Sequence, residues 1–407
     1  MRAQKPLDSY TPHMTNTALI LLCLLVIFSY LFDLFAKRTK IPSVLMLMLS
    51  GIGLRYAADY FNFHTFDFFQ ILPALGTVGL ILIVFEGALE LVYDKSKNKL
   101  IRKAFLAALI ILFASAFGIA YIIHFFSKQP FYLCFINAIP FSIISSAVAI
   151  PSAANIQKEK REFVVYESSF SDILGIILFN FALLNSDLTA SSLKKLGLEI
   201  SLVLVISVVS CLLLLYLLGK IAHHIKFFLI LAILVLIYAI GKHFHLSSLI
   251  NVLAFGLFLS NAEQINFRWF RTRFIYPNFK ADFQQMFQIS AESAFLIRTF
   301  FFVIFGFVMD THMLENSDVI ESGMILLLSI YVIRMALIAP ILKTDLLPEV
   351  FMSPRGLISI LLFLSIPGNL RIAEVSEGLL FIVIFGTSMI MTVGLLFTQK
   401  TKQEAES

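Results

Sequence analysis

The sequence predicts an all-α polytopic membrane protein of about thirteen transmembrane helices, built as two inverted six-helix repeats with two crossed broken helices. Three observations predict this fold. The 407 residues are 59% hydrophobic and 14% charged, with a mean hydropathy of +0.90, whereas soluble domains carry about 25% charged residues. Apolar runs long enough to span a bilayer recur along the chain. Two of these runs, at matching positions of the two halves, combine proline with serine.

The apolar runs centre near residues 26, 49, 82, 112, 143, 173, 210, 233, 252, 297, 330, 358 and 387. The eighth and ninth are separated only by Gly241-Lys242-His243 and are the least distinct pair. Assigning the loops alternately to two sides places 20 of the 31 Lys and Arg residues on one side and eight on the other. The positive-inside rule then predicts an outside N-terminus and a cytoplasmic C-terminus. The net charge of +5 therefore reflects topology and not nucleic-acid binding.

An odd number of spans permits two inverted halves joined by one linker helix, which is a common plan of secondary transporters. We predict a single transmembrane transporter domain with repeat one at about residues 16–186, the linker helix at about 198–222 and repeat two at about 226–398. The short polar tail after the last run predicts no cytoplasmic regulatory domain. The three cysteines lie singly in apolar runs, so neither a disulfide framework, a zinc site nor another cofactor is predicted.

One apolar run contains Glu167, Asp172 and three serines. Asp172 lies ten residues into this run, which on a helix is about 15 Å, or half of a hydrocarbon core about 30 Å thick. Ser168 and Ser169 precede Asp172 by four and three residues and share its helix face. A charge at that depth costs roughly 2.5–3.5 kcal/mol. The run therefore predicts a functional carboxylate in a polar pocket.

The fifth run, at residues 138–151, and the twelfth, at 351–359, each contain proline beside hydroxyl side chains. Proline removes a backbone donor and frees a carbonyl, so both helices are predicted to be interrupted. Polar backbone at membrane depth is tolerated only where protein or water satisfies it. Two broken helices crossing beside Asp172 would form an ion site.

The charged residues predicted within spans are four acids and three bases: Glu86, Glu167, Asp172, Glu292, Arg298, Arg334 and Arg355. One carboxylate is therefore left without a fixed partner and must take up a proton or a cation. We expect Asp172 to be this group and Glu167, which lies off its helix face, to form a salt bridge. We expect Glu86 either to line the access path of the ion or to form a structural ion pair. Arg298 and Arg355 are the candidates to neutralise carboxylates, and Arg334 to snorkel or tie helices together.

The segment Glu167-Ser168-x-x-Ser171-Asp172 resembles the E-S-x-x-N-D segment of the monovalent cation:proton antiporters, in their sodium/proton exchanger branch. Further resemblances follow in the family's order, between about residues 20 and 395: Lys40-Ile41-Pro42-Ser43 before Gly51-Ile52-Gly53, Phe85-Glu86-Gly87-x-Leu89-Glu90-Leu91, Arg298 through Gly306, and Pro354-Arg355-Gly356. Five motifs in order are more specific than any of them alone.

The resemblance implies a thirteen-span homodimer in which a core with two crossed broken helices slides against a dimerisation domain. It implies that Asp172 is the exchanging carboxylate, which binds either a proton or a monovalent metal cation, with Ser168 as a neighbouring ligand. It further implies that Glu167 pairs with Arg355 and that Glu86 lies near the site.

Two positions bear on the ion and the stoichiometry. Ser171 stands where the electrogenic branch carries a second Asp, which implies one cation for one proton. In the fifth span, Ser145-Ser146-Ala147 replaces the T-D-P of the exchanger branch and is similar to the S-S-T of the potassium-efflux branch. Hydroxyl and carbonyl oxygens of Ser145 and Ser146 suit hard cations.

We therefore predict a secondary antiporter, not an enzyme, that exchanges protons for Na+ (or for K+ or Li+) by elevator-type alternating access. It is expected in the cell membrane, in contact with lipid and as a homodimer. A K+/H+ antiporter of the potassium-efflux type is the alternative. A membrane-embedded hydrolase using Ser168 or Ser169 would need a base, and no histidine is predicted at the midplane. A passive channel would ignore a proton gradient.

Overall fold

The computed structural model describes residues 41–60, 68–184, 190–220, 227–243, 248–309, 311–342 and 346–406, together with parts of 20–35. The described residues form helices and contain no strand. The helices are α1 (Ser43–Tyr60), α2 (Phe68–Glu90), α3 (Asn98–Ser127), α4 (Phe131–Ser142), α5 (Ser146–Ser152), α6 (Lys158–Leu184), α7 (Ala190–Lys220), α8 (Phe227–His243), α9 (Ser248–Ser260), α10 (Arg268–Phe274), α11 (Phe279–Val308), α12 (Ser317–Leu342), α13 (Leu357–Leu364) and α14 (Glu377–Glu406).

Within this part of the chain, seven helical segments are long and apolar enough to cross a membrane, and two shorter apolar helices accompany them. The long segments are Lys95–Ser127, Phe131–Ser152, Lys158–Leu184, Ser201–Lys220, Phe279–Val308, Ser317–Leu342 and Glu377–Thr398, and the short ones are Phe228–His243 and Ser248–Ser260. The prediction of an all-helical polytopic membrane protein is confirmed. The number of spans and the inverted repeats stay predictions.

The predicted centres of the apolar runs fall on helical residues, with one exception at Ile143. Ile143 lies between α4 and α5, because the fifth run is interrupted there as predicted. The eighth and ninth runs are separate helices, with α8 ending at His243 and α9 beginning at Ser248. Residues 1–19 and Lys40, which enter the predicted topology and the first motif, lie outside the described residues.

Helices α1 and α11 approach each other closely through two glycines. A Cβ on Gly51 would lie 2.1 Å from the carbonyl oxygen of Val303, and a Cβ on Gly306 would lie 2.2 Å from that of Met48. Small residues let transmembrane backbones touch where van der Waals packing drives association. Both glycines belong to segments that the sequence analysis singled out.

Helix α6 lies at the centre of the part that holds the site, packed against α3, α4 and α5. Helix α12 packs on α3 and α14, and α9 packs on α2, α7 and α8. Helix α7 begins before the predicted linker at about 198–222, and its role as a linker stays a prediction.

Candidate cation site between two broken helices

Helix α6 carries a row of buried polar side chains toward its neighbours. Glu167, Ser168, Ser169, Ser171 and Asp172 are all buried, and 7% of Asp172 is exposed. A helix that buries five polar side chains among apolar neighbours needs specific partners for them. Ser171 and Asp172 find partners in the break of the fifth span.

The first break separates α4 from α5 at residues 143–145. Ile143 and Ser145 have extended backbones, so the amides that follow are not bonded along a helix. The backbone N–H of Ile144 donates to Ser171 Oγ at 2.9 Å, and that of Ser146 donates to Asp172 Oδ2 at 3.2 Å. Side chains of α6 therefore satisfy the backbone that the break sets free.

The second break, at residues 352–356, precedes α13 and meets the first. The backbone N–H of Ser145 donates to the carbonyl oxygen of Pro354 at 2.8 Å. A Cβ on Gly356 would lie 2.4 Å from Ser145 Oγ, so only glycine fits at this contact. The prediction that the fifth span is interrupted is confirmed, the predicted break of the twelfth span is a non-helical stretch before α13, and the two breaks lie in contact.

Arg355 is fully buried and binds backbone carbonyls. Its Nε donates to the Phe141 carbonyl at 2.7 Å, and its Nη2 donates to that of Ser142 at 3.4 Å. Nη1 donates to the Ser353 carbonyl at 2.7 Å. The guanidinium therefore caps the C-terminal end of α4, where the partial negative charge of a helix favours a cation. Among the described residues no carboxylate forms an ion pair with Arg355.

The prediction that Glu167 pairs with Arg355 is wrong, because Glu167 pairs with Arg334. Nη1 and Nη2 of Arg334 donate to the two carboxylate oxygens of Glu167 at 2.8 and 2.9 Å. The side chains are 0% and 1% exposed. Arg334 also donates to the carbonyls of Glu349 and Val350. The pair joins α6 to α12, which fits the expectation that Glu167 is structural and that Arg334 ties helices together.

Glu86 on α2 forms a second ion pair, with Nη2 of Arg298 on α11 at 2.8 Å. Arg298 thus neutralises a carboxylate, as expected. Glu292, which the sequence analysis placed among the buried acids, is exposed. With Glu167 and Glu86 each paired, Asp172 is the buried acid of this group that has no arginine or lysine partner among the described residues.

Asp172, Glu86 and hydroxyl side chains, together with apolar residues, line one small, partly open cavity. The cavity has a volume of about 20 Å3, which is slightly more than one water molecule needs. The polar lining residues are Glu86, Ser145, Ser146, Ser169 and Asp172. Asp172 Oδ1 and Ser169 Oγ are buried without a hydrogen-bond partner among the described residues. Carboxylate and hydroxyl oxygens are the ligands that hard cations prefer.

The structure brings together some of the predicted site residues and leaves others apart. Asp172, Glu86, Ser145 and Ser146 lie on the cavity. Ser168 does not line it, and its hydroxyl donates to the carbonyl of Val164 at 2.7 Å in its own helix. Glu167 and Arg355 also lie off the cavity. Ser169 was not among the predicted ion-binding residues, and its spacing of three residues from Asp172 was the signal for its place here.

Comparisons with known proteins agree with this architecture. A family model described as sodium/hydrogen exchanger, transmembrane, matches residues 21–400. No curated protein matches the chain. Among solved structures, the chain is similar to the sodium proton antiporter MjNhaP1 from Methanocaldococcus jannaschii at pH 8, with 21% identity and a TM-score of 0.67 over 94% of this chain and 98% of that one. An electron-microscopy map of the same antiporter gives 19% identity and a TM-score of 0.65 over 93% and 94% of the two chains.

Because both sequence identities are low, the similarity to these two structures shows the fold alone. The family match covers most of the chain, including both breaks and the cavity. By this match, the chain belongs to the sodium/hydrogen exchanger family.

Proposed function

We propose that this chain is a secondary antiporter in which Asp172 binds a proton and a monovalent cation in turn. The observation that carries the proposal is the carboxylate of Asp172, which is buried, has no basic partner among the described residues, has no hydrogen bond at Oδ1 and lines a small cavity beside four other polar residues. Burying an unpaired charge costs several kcal/mol. An occupant that neutralises Asp172 removes that cost.

The coupling of proton transport to cation transport follows from the free-energy cost of burying the unpaired carboxylate. With a proton or a cation bound, Asp172 is neutral and its surroundings can move between the two sides of the membrane. With a bare carboxylate, the movement is opposed by desolvation. The site therefore moves across the membrane only when Asp172 has bound a proton or a cation. One of the two must leave before the other binds.

We propose elevator-type alternating access for this movement. The breaks of the two interrupted spans support it, because the hydrogen bonds from Ser145 to Pro354 and from Ser146 to Asp172 tie both breaks and α6 into one unit. Such a unit can move across the membrane as a rigid body and carry the cavity with it. The predicted homodimer, the inverted repeats, the outside N-terminus and the cell membrane as location belong to the same proposal.

We propose Na+ as the cation and an exchange of one cation for one proton. The family supports Na+. The stoichiometry is supported by Ser171, whose oxygen accepts the Ile144 N–H where a second carboxylate would add another charge to compensate. K+ is the second candidate, because α5 contributes Ser146 and Ala147 to the cavity and no acid.

The test is proton movement in proteoliposomes that hold the purified protein and a pH-sensitive dye. Addition of NaCl, LiCl, KCl or RbCl on one side should evoke proton movement only for transported cations. We expect Na+ and Li+ to act at lower concentrations than K+. Proton movement with K+ and Rb+ alone would assign the potassium-efflux alternative. A cation flux that ignores a proton gradient would contradict antiport altogether.

An enzymatic role receives no support from the cavity. A serine hydrolase needs a base within hydrogen-bond reach of its hydroxyl. The residues that line the cavity with Ser169 include no histidine, lysine or cysteine. The carboxylates present are Asp172 and the Arg298-paired Glu86.

A further inference from the structure

A cluster of basic and aromatic side chains lies away from the cation site, where α10 meets the end of α7. Its members, which we call the basic aromatic patch, are Tyr216, Lys220, Phe267, Arg268, Trp269, Arg271 and Arg273. All seven are exposed. The proposed transport cycle uses none of them.

Two cations of the patch share one aromatic ring. The Nζ of Lys220 lies 4.5 Å from the centroid of the Tyr216 ring, and the guanidinium carbon of Arg273 lies 6.0 Å from it. Two positive charges beside the same ring repel each other, and an anion bound beside both offsets that repulsion. The ring offsets part of this repulsion through cation–π attraction.

No carboxylate in the described part of the chain forms an ion pair with the four basic residues of the patch. Asp282 is an acid of the neighbouring helix α11, and its Oδ2 accepts a hydrogen bond from the Tyr276 hydroxyl at 2.8 Å. Tyr276 in turn packs beside Gly219 at the end of α7. The patch thus presents a surplus of positive charge to a ligand from outside the chain.

The aromatic residues of the patch are of the kind that favours a membrane surface. Phe270 is 5% exposed and packs edge-on to Phe258 of α9, with ring centroids 6.3 Å apart, which fixes α10 to the helical bundle. Trp269 and Phe267 are 69% and 77% exposed. Tyr216 lies one turn before the end of the apolar segment of α7. Tryptophan and tyrosine favour this interfacial depth, with basic residues beside them.

We propose that the basic aromatic patch binds the headgroup of an anionic phospholipid, with the phosphate held by Lys220 and Arg273 beside Tyr216 and with Trp269 among the adjoining acyl carbons. Charge complementarity selects this occupant, because a zwitterionic headgroup cancels its own phosphate charge. Each basic residue near an anionic surface favours binding by about fivefold.

Trp269 is the sole tryptophan of the chain, so its fluorescence reports on this patch alone. The full-length protein would be placed in phosphatidylcholine vesicles that contain a small fraction of brominated phosphatidylglycerol or, in parallel, of brominated phosphatidylcholine. Bromine quenches tryptophan on contact. We expect markedly stronger quenching by the anionic lipid at equal mole fraction.

The double variant Lys220→Gln with Arg273→Gln should lower this preference by on the order of 20-fold, since two basic residues are lost. The charge-retaining variant Lys220→Arg with Arg273→Lys should keep it. Lys128→Gln is the matched control, because Lys128 lies 4.6 Å from the ring centroid of exposed Phe125 elsewhere on the surface.

Four results would overturn the proposal. Equal quenching by both lipids would mean that the basic aromatic patch does not distinguish an anionic from a zwitterionic headgroup. An unchanged preference in the neutral double variant, or a lost one in the charge-retaining variant, would remove Lys220 and Arg273 from the site. Loss of the preference upon adding inorganic phosphate at matched ionic strength would assign a site for a soluble anion instead. None of these readouts depends on antiport.

Discussion

The backbone N–H of Ser146 donates to Oδ2 of Asp172 at 3.2 Å, while Oδ1 of the same carboxylate has no partner among the described residues. One oxygen is therefore fixed by the first break, and the other has no hydrogen bond, in a residue that lines the small cavity. A carboxylate held in this way is oriented but not neutralised. This relationship separates Asp172 from Glu167 and Glu86, each of which has an arginine partner.

Glu167→Gln should destabilise the protein without removing the exchanging group. Removing one partner of a buried ion pair leaves an uncompensated charge and costs about 3–5 kcal/mol. Thermal unfolding in detergent would measure this loss. Glu162→Gln is the control, because the Lys97–Glu162 pair is partly exposed, with side chains 35% and 22% accessible, and such pairs contribute about 0–1 kcal/mol. Equal losses in both variants would contradict the structural role of the Glu167–Arg334 pair.

Gly356→Ala should disturb the contact between the two breaks. The new Cβ would lie 2.4 Å from Ser145 Oγ and 2.8 Å from its Cβ, and overpacking of this kind costs about 1–3 kcal/mol. We expect a lower unfolding temperature together with slower transport. Gly53→Ala on α1 serves as the comparison, since a methyl group added there would meet no neighbouring atom within 4 Å. Wild-type transport in Gly356→Ala would mean that the breaks need not touch.

Arg298→Gln should shift the pH dependence of transport toward higher pH. Arg298 carries a positive charge beside Glu86 on the wall of the cavity, and its removal favours protonated Asp172. Because the proton then competes more strongly, the cation should need a higher pH to displace it. Initial rates from about pH 6 to pH 9 would be compared with those of Arg371→Gln, whose guanidinium lies over Phe363 and off the cavity. A shift toward lower pH would contradict this electrostatic role.

Transport by the unaltered protein should not depend on membrane potential. A net charge that crosses the membrane gains or loses about 2.3 kcal/mol per 100 mV, on the order of 50-fold in equilibrium. One cation exchanged for one proton moves no net charge. Rates measured in proteoliposomes at zero and at clamped potential should therefore agree. A clear acceleration by potential would rule out the proposed stoichiometry.

Much of this arrangement could be predicted from the sequence. The burial of Asp172 followed from its position in an apolar run, and the non-helical stretches at residues 143–145 and 352–356 followed from proline beside serine. Counting buried charges also predicted one acid without a partner, but the count was wrong in two terms that cancel, because Glu292 is exposed and Arg355 pairs with no carboxylate among the described residues. These features depend on local sequence and on helix geometry, which a single chain reveals.

The partners could not be predicted in the same way, because they depend on which helices meet. Glu167 pairs with Arg334 and not with the expected Arg355, because α12 brings Arg334 close to α6. Arg334 also binds the carbonyl of Glu349, in the loop after α12. Arg355 is instead turned toward the C-terminal carbonyls of α4. Ser168 shares a helix face with Asp172, yet its hydroxyl bonds to its own helix.

The most direct test of the proposed function is cation-evoked proton movement by Asp172→Asn in proteoliposomes. Asparagine keeps the shape and can still accept the Ser146 hydrogen bond, but it carries no charge for a proton or a cation to neutralise. Asp59→Asn on α1, whose exposed carboxylate lies 4.0 Å from Arg55, is the control and should transport normally. We predict that Asp172→Asn folds, as judged by its unfolding temperature, and shows no exchange. Exchange at the unaltered rate by that variant would contradict the account.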